Sequence, residues 1–311
     1  MSHLPESPTF LNARRGPELG GYPAGPVVSV SSGDFVFDGH RLVYYEYGSG
    51  PRPFLLMPGL LLPQTLHRPL AQALAERGNR VITLDLLGHG ESDRPRDMWR
   101  YSMPALGEQA VALLDHLEID EAVVGGTSLG ANTALEAAVR APDRMRGLVI
   151  EMPVLDNALL GCALAFTPLL VSLTFGAPIT RLISRVAARV PRGLTHLTDV
   201  GLDWISLDPG PSAAYLQGLF FGRVAPPRSE RSRIETRTLV IGHGRDPVHP
   251  FSDSDALVRE LRNGRMVEAN SILELQLTPG RLTGEVARFL DECWRRPASR
   301  ETTVPRREAS A

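Results

Sequence analysis

Short apolar runs alternate with amphipathic stretches through most of this chain. Phe35-Val36-Phe37 and Leu42-Val43-Tyr44-Tyr45 flank Asp38-Gly39, the signature of a hairpin. Phe54-Leu55-Leu56-Met57 forms a third strand and stops at Pro58-Gly59. Leu66, Leu70, Ala73 and Leu74 have helical spacing, and Val81-Ile82-Thr83-Leu84 is the next strand. A helix over about 104–118, strand Ala122-Val123-Val124, a helix over 129–140 and strand Leu148-Val149-Ile150 continue the alternation. It resumes with strand Thr238-Leu239-Val240-Ile241, a helix over 253–262, a short strand Met266-Val267, and a last helix carrying Leu282, Val286, Phe289, Leu290 and Trp294 on one face. Strands buried on both faces and joined by helices predict a mostly parallel sheet flanked by helices.

Residues 153–236 break this rhythm. They open with an uncharged stretch, Ala158 to Phe175, nearly long enough to span a bilayer. Gly161 and Pro168 interrupt it, no second span follows, and the strands on either side belong to one sheet. A helical cap over a pocket is therefore expected, with no transmembrane span. Residues 1–30 and 296–311 are rich in Pro, Gly, Ser or Arg without apolar period, and are expected to be flexible. The predicted organisation is a core of 31–152 and 237–295, with the cap of 153–236 inserted between strands 6 and 7.

Composition narrows the function. At 311 residues, one large domain with an insertion is favoured. A net charge of −2 gives no basic surface for nucleic acid. All 33 basic residues are arginine, which excludes a Walker A lysine, a Schiff base and a pyridoxal-phosphate anchor. Cys162 and Cys293 fit a reduced compartment, and no signal peptide is visible, so cytoplasm is the expected location. No Cys/His cluster has metal-ligand spacing, and no cofactor is expected. The glycines suit a nicotinamide oxidoreductase poorly: the turn after strand 3 offers only Gly59.

One turn carries chemistry. Val123-Val124 runs into Gly125-Gly126-Thr127-Ser128-Leu129-Gly130 and then a helix. Such a tight strand-to-helix turn holds its serine in a strained conformation at the tip, with the Leu129 N–H at a helix N-terminus facing a developing negative charge. The short pattern also arises by chance; its strand–turn–helix setting favours the nucleophile.

Val81 to Asp93, ending Asp85-Leu86-Leu87-Gly88-His89-Gly90-Glu91-Ser92, resembles the segment after strand 4 in the α/β-hydrolase family. The resemblance covers about residues 34–294. It implies the α/β-hydrolase fold, Ser128 as nucleophile, and acyl transfer through a serine ester on a small hydrophobic acyl substrate. Met57-Pro58-Gly59-Leu60 matches the family's oxyanion segment, so Leu60 would donate the second N–H; Pro58 stands where histidine is usual, and a plain Pro-Gly turn is the alternative. Gly242 to Pro250 resembles the stretch after strand 7, with Asp246 as the acid; Asp246 could instead cap its turn, and Glu151 is the second candidate.

The family's histidine follows strand 8, and here that stretch is Met266 to Glu274 with Asn270 or Ser271 at the matching place. No histidine follows His249. Three readings stay open. A histidine arrives from elsewhere, His249 being the best placed; His243 packs, His89 braces its glycine loop, and His196 could descend from the cap. Alternatively the fold binds a ligand or partner with little chemistry, or the substrate or a cap group supplies the base.

Overall fold

The computed structural model describes residues 28–244, 246, 248–277 and 280–295. Most of the lead-in and the whole tail lie outside them. Eight strands form one sheet in the order β1-β2-β4-β3-β5-β6-β7-β8: β1 (Val30–Phe37), β2 (His40–Tyr47), β3 (Pro53–Met57), β4 (Arg80–Asp85), β5 (Ala122–Thr127), β6 (Met145–Glu151), β7 (Thr238–His243) and β8 (Gly264–Ala269). The β1–β2 and β2–β4 pairings are antiparallel and all others parallel. The hairpin turns at Asp38-Gly39, both at positive φ. Helices α1 (Arg68–Ala75), α2 (Met103–His116) and α3 (Leu129–Arg140) precede β6. Five helices separate β6 from β7: α4 (Leu159–Phe175), α5 (Ala177–Ala187), α6 (His196–Ile205), α7 (Pro209–Phe220) and α8 (Arg228–Arg231). Helices α9 (Phe251–Glu260), α10 (Glu274–Leu277) and α11 (Arg281–Trp294) complete the chain.

The sheet separates two apolar cores, and neighbouring strand residues serve opposite ones. Val124, Leu55 and Met57 face the core shared with α2 and α3. Val123, Phe54 and Leu56 face the core shared with α1 and α11. That alternation is the period-two geometry of a strand, and it explains why these strands read as unbroken apolar runs. In α11, Leu282, Val286, Phe289 and Leu290 are all buried, which seats one stripe of the helix on the sheet.

Three boundaries differ from expectation, each for a physical reason. Strand β8 spans Gly264–Ala269 rather than two residues, because β7 supplies parallel partners along all of it, even to polar Arg265 and Glu268. Helix α9 starts at Phe251, where Pro250 ends the preceding extended segment. Pro168 does not interrupt its stretch: α4 is one helix with Pro168 inside, and Ser172 Oγ donates to the Pro168 carbonyl at 2.8 Å. The break falls at Gly176, where α4 and α5 meet at 97°. No single helix among the described residues is long and apolar enough to cross a membrane.

Candidate active site

The turn after β5 is determined by what crowds it. Ser128 has φ 54° and ψ −111°, a region few non-glycine residues occupy. Its N–H donates to the Glu151 carbonyl at 2.8 Å, and its carbonyl accepts from Asn132 N at 3.0 Å. The glycines on either side are required by close approach. A Cβ on Gly126 would sit 2.4 Å from the Met57 carbonyl oxygen, and one on Gly130 2.1 Å from it. The turn is therefore pressed against the end of β3.

That contact brings the loop after β3 to the serine. A Cβ built on Gly59 would lie 3.8 Å from Ser128 Cβ. Leu60 and Leu129 line the same cavity as Ser128. Among the described residues the Leu60 N–H donates to no protein group. The next residue, Leu61, takes a positive φ of 57°, and its N–H donates to His89 Nε2 at 2.9 Å. His89 is fully buried, and burial lowers its pKa to about 4, so its ring is a neutral acceptor bracing this loop.

The acid and base candidates share one turn. His249 Nε2 lies 2.8 Å from Ser128 Oγ, and His249 Nδ1 lies 2.8 Å from Asp246 Oδ2. Asp246 Oδ1 accepts from the backbone N–H groups of Val248 at 2.8 Å and His249 at 3.0 Å, which fixes the carboxylate plane. Burial works to raise the Asp246 pKa, but the hydrogen bonds and charge of His249 with the two N–H groups prevail and bring it to about 2. An ionised Asp246 accepts from Nδ1–H, which leaves Nε2 with a lone pair facing the hydroxyl.

The other histidines are engaged elsewhere. His196 Nε2 lies 3.2 Å from the Leu66 carbonyl, and His67 Nε2 3.2 Å from that of Met57. Glu151 does not reach His249: Thr127 Oγ1 donates to its Oε2, and its Oε1 faces His243 Nε2 at 3.3 Å with both residues buried. Asn270 is exposed, and its N–H donates to Glu274 Oε2 at 2.5 Å. Arg281 grips the same carboxylate at 2.8 Å.

The cavity over Ser128 holds about 360 Å³, within the usual range for small-molecule sites. Among the described residues no charged side chain lines it. Leu159, Ala163 and Phe166 of α4 and Leu216, Leu219 and Phe220 of α7 form its outer wall. Cys162 also lines it, with a thiol that burial pushes up to about 11 and keeps neutral. Two tethers hold the segment between β6 and β7 in place. Asn132, one turn beyond Ser128, donates to the carbonyls of Val154 and Val224 at 2.8 and 2.6 Å and accepts from Val154 N. Asp253 in α9 accepts from the N–H groups of Leu155, Asn157 and Ala158. Sequence reasoning missed the roles of Asn132 and Asp253, because a tether has no motif; a polar residue in the first turn of a helix was the only available signal. Among the described residues no group of His, Cys, Asp and Glu is arranged to hold a metal.

A model of the α/β hydrolase fold family matches residues 52–168. The 2-hydroxymuconate semialdehyde hydrolase of Pseudomonas sp. (strain CF600) is 43% identical over 74 residues, covering 24% of this chain and 26% of the relative. A haloalkane dehalogenase of Mycolicibacterium paratuberculosis is 31% identical over 120 residues, 38% of this chain and 40% of the relative. The chain thus matches less than half the length of these two curated relatives. Among solved structures, the enol-lactonase of Burkholderia xenovorans LB400 superposes with a TM-score of 0.67 at 24% identity, covering 83% of this chain and all of that one. The meta-cleavage product hydrolase of Pseudomonas fluorescens IP01 gives 0.65 at 19% identity, covering 84% and 97%. The chain has the α/β-hydrolase fold, and its residues 52–168 match that family's model. The proteins it resembles include hydrolases, a dehalogenase and a lactonase.

Proposed function

We propose that the protein is a serine hydrolase that cleaves a small hydrophobic ester or related acyl compound. The observation that carries this reading is the continuous relay Ser128 Oγ, His249 Nε2, His249 Nδ1, Asp246 Oδ2, each contact 2.8 Å. In this reading His249 takes the Ser128 proton as Oγ bonds to the substrate carbonyl carbon. The carbonyl oxygen becomes an oxyanion held by the N–H groups of Leu60 and Leu129. His249 then protonates the leaving oxygen, and the acyl group stays on Ser128. Water, deprotonated by the same Nε2, attacks the ester and releases the acid. Asp246 stays ionised throughout and stabilises the imidazolium.

A serine at the elbow favours acyl transfer over the displacement chemistry that a carboxylate nucleophile would perform. The uncharged wall of the cavity favours an apolar acyl or alcohol portion. The segment between β6 and β7 serves as the cap, with α4 and α7 over the serine.

The test is covalent labelling by a fluorophosphonate, with Ser128→Ala as control. Labelling that requires Ser128 and is abolished by His249→Ala is expected. Unlabelled wild-type protein at saturating probe would leave the ligand-binding alternative as the better account.

A further inference from the structure

Helix α5 is oriented against its own apolar stripe. Ile179, Leu182, Ile183 and Val186 recur at spacings of three and four, which places them on one face, and Val190 follows in the turn after the helix. All five are exposed, Ile179 by 68% and Leu182 by 62%, whereas the buried residues of the helix are Ser184 and Ala187. The small side chains face the protein and the large apolar ones face out. Helix α4 repeats this. Its inner face walls the cavity, while Leu160, Leu164, Val171 and Phe175 form an outer stripe, with Leu160 71% and Phe175 82% exposed. Large apolar side chains exposed in such numbers on two successive helices mark an interaction site in a folded protein.

Charge identifies what covers it. Between Asp156 and Asp199 there is no acidic residue, although the whole chain carries −2. Arg181 and Arg185 lie one turn apart on α5, with Arg189 in the turn just after it, beside the apolar stripe. All three are exposed and none makes an ion pair or side-chain hydrogen bond among the described residues. Arg192 by contrast is paired with Asp203 at 3.1 Å. A second copy docked through the same face by a twofold axis would bring these unpaired cations against their equivalents. An amphipathic helix with arginines bordering large apolar residues suits the boundary of an anionic bilayer, headgroups beside the cations and acyl chains under the apolar stripe.

We infer that the outer faces of α4 and α5 dock this protein on anionic lipid surfaces, without crossing them. The docked face lies on the opposite side of α4 from Cys162, Ala163 and Phe166, so the cavity wall is one helix away from the lipid. This holds whether or not Ser128 attacks an ester.

The experiment is co-sedimentation of the full chain with vesicles of phosphatidylcholine alone and of phosphatidylcholine mixed with phosphatidylglycerol, at low and high salt. Binding to the mixed vesicles, weakened by salt, is expected. Each arginine near such a surface contributes about fivefold in affinity, so Arg181→Gln/Arg185→Gln/Arg189→Gln weakens binding on the order of 100-fold. Ile179→Ser/Leu182→Ser weakens binding to both vesicle types. Neither variant alters hydrolysis of a short water-soluble ester, which separates this inference from the proposed chemistry. Wild-type protein that ignores the mixed vesicles, or binds both kinds equally at either salt, overturns it. So does a dimer in analytical ultracentrifugation that Leu182→Ser dissociates while vesicle binding is absent. The salt dependence of the wild-type protein decides the matter even if a variant fails to fold.

Discussion

The segments that follow β7 and β8 leave adjacent strands at the same edge of the sheet, paired as far as His243 and Ala269, yet they end in opposite chemistry. The β7 segment turns back at once and presents Asp246 and His249 to the serine. The β8 segment consumes its own polar groups. Glu274 accepts from Asn270 N and Arg281, and Arg281 also donates to the Glu268 carbonyl at 2.9 Å, so the turn is closed upon itself. A general base has to reach one point in space, and the strand that delivers it is secondary. A residue three positions beyond the acid can do so because a tight turn brings both side chains to one side.

The largest effects should come from breaking the β7 side. Ser128→Ala or His249→Ala should lower kcat/KM by 10⁴ to 10⁶, about 5 to 8 kcal/mol, on a chromogenic ester. Asp246→Asn should cost up to about 10⁴, since the amide favours the wrong imidazole tautomer. Because Asp246 titrates near 2, its carboxylate stays ionised down to pH 4, so its protonation should contribute no inflection to the kcat/KM profile between pH 7 and 4. Next is the support beneath the serine. Gly130→Ala drives a Cβ to 2.1 Å from the Met57 oxygen and should cost about 3 kcal/mol or more in urea unfolding.

Acid should weaken the fold beneath both segments. Burial lowers the pKa of His67 and of His89 to about 4 from an ordinary 6.5. Their contribution is fully present above pH 6.5 and is lost as pH falls to 4, about 3 kcal/mol each. Buried Asp85 acts in the opposite sense. Its pKa is raised to about 6, so the stability it contributes is present below about 4 and lost as pH rises through 6. The net fall in unfolding free energy from pH 7 to pH 4 should be about 3 kcal/mol, read from urea midpoints. The smallest effect sharpens the contrast from the β8 side. Asn270→His should change turnover by less than about threefold while His249 is present, because the base is already supplied. A gain of a hundredfold would show that the β7 turn does not deliver it.

Much of this was legible in the residues. The apolar runs gave the strands because parallel burial leaves little room for polar positions, and Gly126 and Gly130 marked the elbow because nothing larger fits. The base was harder to read. His249 stood out by the place of its loop at the strand ends and not by any motif, since motif position encodes chain order whereas the proposed proton transfer depends on distance. The tethers were invisible for a similar reason: Asn132 and Asp253 act on backbone groups about 20 to 100 positions away in the chain, and such partners leave no local pattern. Pro168 misled because a helix exposed on one side tolerates a missing hydrogen bond.

The tether at Asp253 has a wider consequence. In the short stretch from Asp246 to Asp253 the chain carries the proposed acid, the proposed base and the clasp that holds the first residues of the insertion. An exchange of the insertion for another is constrained at its first few peptide groups. A newcomer that presents N–H groups to Asp253 keeps this clasp; one that does not leaves a buried carboxylate without its donors.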